Sequence, residues 1–150
     1  MKICIVGGGS TYTPELIEGF ISISQHVKID EIAMLDIPDS REKFDIVSKL
    51  SLRMIEKSKL PISLIPTMDA EKAFAGADYI IFQFRAGLMQ GRIKDELIPL
   101  EFGLIGQETT GMGGMACALR AMPIVERYVE LARQLSNNAK IISFSNPSGM

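Results

Sequence analysis

A short apolar run that stops on three consecutive glycines and passes at once into a helical pattern opens the chain, and few folds accommodate that junction. Ile3-Cys4-Ile5-Val6 is apolar without alternation, as expected of a strand buried on both faces, and Gly7-Gly8-Gly9 ends it. Pro14 suits a first helical turn, where its missing N–H would have no intrahelical partner. Leu16, Ile17, Phe20 and Ile21 then recur at helical spacing.

The alternation continues down the chain. Residues 31–36 (EIAMLD), 62–65, 78–84 (DYIIFQF) and 141–144 read as four further strands, the second of these confined between Pro61 and Pro66. Between them lie a helix over 39–57 that buries Phe44, Val47, Leu50 and Met54, and a short helix over 69–75 stopped by Gly76. A long helix over 115–136 carries Leu119, Met122, Val125, Val129 and Ala132 on one side, with Pro123 expected to bend it. Parallel strands need crossover connections, so the pattern predicts an α/β fold: Rossmann-like, doubly wound, a mainly parallel sheet with helices on both faces. With 150 residues, 47% of them apolar, one domain over 1–150 is expected. Residues 85–114 break the rhythm with glycines, charges and one helical piece near 92–102. A segment of that length is too long for a simple connector and usually carries function.

Net charge is −2, from 16 basic and 18 acidic residues, so no strong field draws in nucleic acid or an anionic membrane surface. The opening apolar run is too short for a signal sequence or a membrane span, which predicts a cytoplasmic protein. Cys4 and Cys117 lack the number and spacing of a disulfide framework or zinc site and read as buried thiols; His26 reads as a surface histidine.

Gly7, Gly9, Ser10, Thr11 and Tyr12 occupy the strand-to-helix turn where a pyrophosphate can approach backbone N–H groups at the positive end of a helix. Tyr12 stands where the third glycine of G-x-G-x-x-G is usual, so the fingerprint is partial, and a turn that merely reverses the chain is the alternative. Asp36 ends the second strand. A carboxylate there accepts ribose hydroxyls and repels a 2′-phosphate, which favours NAD over NADP; a carboxylate serving the Pro38-Asp39-Ser40 turn is the other reading.

Five motifs in order carry a resemblance: GGGSTYTP at 7–14, FQFR at 82–85, Gly91-Arg92 followed by Asp95-Glu96 and Ile98-Pro99-Leu100, GQETTGMGG at 106–114, and SNPSG at 145–149. The whole chain resembles the amino-terminal part of family 4 glycoside hydrolases, in the branch acting on 6-phospho-β-glucosides. That resemblance implies transient oxidation of the sugar at C3 by NAD, deprotonation at C2 and elimination of the aglycone, an exception to two-carboxylate glycoside hydrolysis. It implies that Arg92 holds the sugar 6-phosphate, for which a guanidinium fork is well matched. Pairing of Arg92 with Asp95 or Glu96 is the structural alternative. Arg85 is expected to assist with phosphate or cofactor. By the resemblance, Glu108 raises the basicity of a catalytic tyrosine outside the chain, as a neighbouring anion does for a phenol, against the alternative of a loop-bracing carboxylate. Asn146 is implied in contacts to substrate hydroxyls, with a turn asparagine as the alternative.

The family's divalent metal, taken to be manganese, is implied to have its cysteine and histidine ligands beyond position 150, as is the tyrosine base. No metal ligand is therefore expected in this chain, which reads as a fragment, inactive alone, lacking a second domain. Met112, Met115 and Met150 on the surface so exposed are expected to favour a homo-oligomer. A dehydrogenase for small hydroxy acids and a non-catalytic NAD-binding module are the rival readings. Net NADH accumulation marks the first, and an open reading frame without a suitably placed cysteine, histidine and tyrosine marks the second.

Overall fold

The computed structural model describes residues 1–145, which fall into two compact units. The first comprises residues 1–84 and 131–142, the second residues 85–130 with those from 143 onward.

The first unit is built on a five-stranded parallel sheet, β1 (Lys2–Val6), β2 (Glu31–Leu35), β3 (Ser63–Thr67), β4 (Tyr79–Phe82) and β5 (Lys140–Ser143), in the order β3-β2-β1-β4-β5. This is the strand order of a Rossmann fold around its switch point. Cys4 stands opposite Ala33 on one side and Ile80 on the other. Side chains alternate across the sheet: Ile3, Ile5, Ile32, Met34 and Ile81 join one core with Ile17 of α1 (Thr13–Ile23) and Phe44, Val47 and Ile55 of α2 (Arg41–Ser58). Cys4, Ala33, Leu35, Ile80 and Phe82 alternate with them and are equally buried, so both faces are covered. That explains why the strands read as unbroken apolar runs.

Three details depart from the sequence reading. A single 3₁₀ turn at Pro38–Ser40 delays α2 to Arg41, and Phe44, Val47, Ser48, Ser51 and Ile55 form its buried stripe. Leu50 lies about 120° round the helix from Phe44, at 3.6 residues per turn, and is exposed; Ser51 takes the inward position expected of an apolar residue. Strand β3 runs through Pro66 instead of stopping before it, which an edge strand tolerates. Helix α3 (Ala70–Phe74) is capped by Asp69, which accepts from Lys72 N–H at 3.1 Å.

The second unit contains α4 (Leu88–Glu101) and most of α5 (Gly111–Leu135). Helix α5 begins four residues earlier than expected. Its expected buried side is open at Leu119 and Met122, because only its last residues, from 131, belong to the sheet unit, where Ala132 is buried. Cys4 and Cys117 are free, buried thiols and His26 is exposed. Burial pushes the Cys4 thiol up to about 12. Among the described residues no helix is long and apolar enough to cross a membrane.

Candidate functional site

The glycine turn in the first unit is packed down onto the strand ends. Gly7 has φ +88°, and a Cβ there would meet the Phe84 backbone at 2.8 Å; one on Gly9 would lie 2.7 Å from Asp36 Oδ2. The close approach that requires glycine is thus to the protein's own backbone and to Asp36. Gly7 and Gly8 N–H both donate to Leu35 O, at 2.9 and 2.8 Å. Gly9 N–H donates to Asp36 Oδ2 at 2.6 Å, and Ile37 N–H to Asp36 Oδ1 at 2.8 Å. Each Asp36 oxygen therefore spends one lone pair on the backbone and keeps another, as acceptance from a ribose diol requires.

With the glycine amides turned inward, the next donors along the turn matter. Ser10 N–H closes on Gly7 O and Tyr12 N–H on Ser10 Oγ, whereas Thr11 N–H forms no hydrogen bond among the described residues. Thr11 and Tyr12 are exposed at the start of α1, where the helix dipole favours an anion. Glu15 holds the Tyr12 phenol above its ordinary pKa through a hydrogen bond and its charge.

Two residues absent from the sequence reading complete this turn. The fully buried Thr13 hydroxyl donates to Gly8 O at 2.9 Å and accepts from Gln83 Nε2 at 2.6 Å; the same amide nitrogen reaches Gly7 O at 3.3 Å. Among the described residues, Gln83 Oε1 is buried without a hydrogen-bond partner. Such an orphaned acceptor beside the turn fits a ligand that brings a donor, as a dinucleotide does. The signal was present in the sequence as an amide interrupting the apolar run DYIIFQF.

The second unit gathers four of the charged residues from 85–114. Glu108 Oε2 lies 3.0 Å from Arg92 Nη2, and Oε1 pairs with Arg85. Among the described residues, Oε1 is buried against that guanidinium without a directed hydrogen bond. Arg92 also donates from Nε to Glu96 at 2.7 Å, one helical turn on. Glu96 first, and Glu108 after it, raise the Arg92 pKa above its ordinary value. Arg92 stands inside α4 and not in a loop, so its backbone is held by the helix. The structural alternative for Arg92 is the one seen here: it pairs with Glu96, and it also faces Glu108.

A buried ion pair that the sequence reading missed sets this geometry. Asp95, 4% exposed, accepts from Arg120 of α5 at 2.9 Å through Oδ1 and again through Oδ2, and Arg120 Nε donates to Ala86 O at 2.8 Å. A Cβ on Gly113 would lie 2.7 Å from Asp95 O and would collide with Gln107 O, so only glycine lets the GQETTGMGG segment lie against α4 and bring Glu108 to the arginines. The sequence hint was a lone cation in an otherwise apolar stretch of α5. Asn146 lies outside the described residues. No group of acidic, histidine or cysteine side chains able to hold a metal occurs among the described residues.

A Rossmann-like sheet with a carboxylate-braced glycine turn defines a dinucleotide-binding class of protein. The profile described as "Family 4 glycosyl hydrolase" matches residues 2–150, and the chain belongs to that family. It is 46% identical over its full length to a probable 6-phospho-beta-glucosidase of Bacillus subtilis (strain 168), covering 34% of that protein. The structure of the Thermotoga maritima 6-phospho-beta glucosidase with NAD and glucose-6-phosphate superposes with a TM-score of 0.92 at 49% identity, over 99% of this chain and 34% of that one. A 6-phospho-alpha-glucosidase from gut microorganisms, in complex with NAD and Mn2+, gives 0.91 at 35% identity, over 98% of this chain and 33% of that one. The chain spans about a third of the length of the relatives it matches.

Proposed function

We propose that this chain is the NAD-binding part of a cytoplasmic 6-phospho-β-glucosidase, and that the complete protein also uses a divalent metal, manganese, held by residues outside these 150. One observation carries the reading: Asp36 is fixed by Gly9 and Ile37 with a free lone pair on each oxygen. The β preference is supported by the higher identity to relatives named for β-glucosides than to those named for α-glucosides.

Bound NAD supplies transient oxidation of the sugar at C3, which acidifies the C2 proton and lets the aglycone leave by elimination. The residues of this chain bind and orient. Asp36 accepts from the adenosine ribose and repels a 2′-phosphate, selecting NAD. Gly7 and Gly9 let the turn lie close to the strands, while Ser10, Thr11 and Tyr12 present the helix start to the pyrophosphate. Arg92, assisted by Arg85, binds the sugar 6-phosphate. Glu108 supports a tyrosine base supplied from outside the chain, and Asn146 binds substrate hydroxyls. The protein assembles as a homo-oligomer.

The test is calorimetric titration of the chain with NAD and with glucose 6-phosphate. Saturable NAD binding that weakens at least tenfold in Asp36→Ala supports the cofactor assignment; unchanged affinity removes Asp36 from the site. Arg92→Ala is expected to lose sugar-phosphate binding while keeping NAD binding.

A further inference from the structure

Arg85 and Arg92 converge on a single carboxylate, that of Glu108, one guanidinium for each oxygen. With Glu96 also on Arg92, this group of two cations and two carboxylates sums to zero charge. A phosphate monoester gains little from approaching a neutral cluster, and much from two guanidiniums whose anion has left.

The two carboxylates are not equally tied. Glu96 is four residues from Arg92 on the same helix and is bound by its Nε, so the pair is fixed by α4 itself. Glu108 lies between α4 and α5, outside either helix, and among the described residues its buried Oε1 has charge contact with Arg85 but no directed hydrogen bond. Of the two it is the one that no helix ties to the arginines. Two oxygens on a planar carboxylate, each facing one guanidinium, also reproduce the spacing of two terminal oxygens of a phosphate.

We propose that Glu108 is the resident anion of the phosphate site: it holds Arg85 and Arg92 together, and the 6-phosphate of the sugar displaces it. Glu108 thereby determines specificity. A dianion with three terminal oxygens replaces it on both guanidiniums, a neutral sugar hydroxymethyl group does not, and the carboxylate becomes available for other work only when a phosphorylated sugar is present. The inference rests on the reading of Arg92 and Arg85 as phosphate ligands.

The experiment titrates glucose 6-phosphate and inorganic phosphate into the chain and into its Glu108→Gln and Arg92→Ala variants, following heat and the ¹³C resonances of glutamate side-chain carboxyls. Displacement predicts that phosphate moves the Glu108 resonance in the unsubstituted chain, and that Glu108→Gln binds both ligands about tenfold tighter, equivalent to about 1.4 kcal/mol. Tight binding by Glu108→Gln with none detectable in the unsubstituted chain also supports it. Phosphate binding that leaves the Glu108 resonance in place overturns the proposal without requiring any variant to fold. Equal or weaker binding by Glu108→Gln, with binding lost in Arg92→Ala, also overturns it and leaves the phosphate assignment standing. Undiminished binding by Arg92→Ala removes that assignment and the proposal with it, as does absence of binding to both the unsubstituted chain and Glu108→Gln.

Discussion

Thr13 and Gln83 are 70 residues apart, yet the Thr13 hydroxyl accepts from the Gln83 amide at 2.6 Å and donates its own hydrogen bond to the Gly8 carbonyl. The end of β4 is thereby tied to the turn after β1. The orientation of the amide follows from its neighbours: Gly7 O is an acceptor only, and the Thr13 hydroxyl has given its one proton to Gly8, so both require the nitrogen. Thr13→Val keeps the shape and leaves buried partners unsatisfied, at about 1–3 kcal/mol. The urea midpoint is expected to fall and NAD affinity to fall with it. Thr13→Ser keeps the hydroxyl and is expected to lose little of either; a loss as large as that of Thr13→Val would show that the methyl group matters as much as the hydroxyl.

Gly9→Ala places a methyl 2.7 Å from Asp36 Oδ2, where the Gly9 N–H now bonds. A hydrogen bond to a charged group contributes about 1.5–3 kcal/mol. The substitution is expected to weaken NAD binding by at least tenfold, because it moves the carboxylate that would hold the ribose. Equal NAD affinities for Gly9→Ala and the unsubstituted chain, by calorimetry, contradict this.

Much of this organisation was legible in the sequence, for identifiable reasons. Ile3, Ile5, Ile80 and Phe82 are buried on a sheet covered on both faces, and such strands announce themselves as unbroken apolar runs. Asp36 was legible as the carboxylate at the tip of β2, and the structure also gives it the turn-bracing task that was its alternative reading. What stayed hidden depended on contacts distant in sequence. No local pattern says that Arg120 will reach Asp95, 25 residues away, or that Gly9 N–H will turn inward to Asp36 instead of outward to a ligand. The phase of α2 was misread at Leu50 because its apolar side chain drew the stripe one position off the helical period, which carries Phe44 and Val47 on to Ser51.

Asp95 and Arg120 give a third expectation. Arg120→Ala leaves a carboxylate that is 4% exposed without its cation, a change that typically costs about 3–5 kcal/mol. The chain is expected to lose a large part of its stability in a denaturant titration. Replacing both residues by apolar ones of similar size, Asp95→Leu with Arg120→Met, is expected to recover much of the loss. A double variant no more stable than the single one would show that the bond from Arg120 to Ala86 O matters more than the charge pair.

Cys4 sets a fourth, in alkaline solution. Its thiol is held near 12 in the folded chain by burial, against 9.0 for the free group. Above pH 9 the unfolded chain releases this proton and the folded chain retains it, so this contribution is complete below pH 9 and disappears as pH rises toward 12. The slope attributable to the group is about 1.4 kcal/mol per pH unit in that window. Cys4→Ala removes the slope. A thiol reagent at pH 8 is expected to leave Cys4 unmodified until denaturant is added, and rapid labelling in the native state would contradict its burial.

Pro66 in β3 closes off one way for such chains to stick together. Ser63 N–H donates to Asp30 O and Thr67 O accepts from Asp36 N–H, so residues 63, 65 and 67 turn their peptide groups toward β2, and Leu64 and Pro66 turn theirs outward. The free rim of the sheet therefore offers Leu64 as its lone amide donor within the strand, since proline has none. A neighbouring chain trying to add a strand there would find every second rung missing, which protects this rim from fibril-like growth.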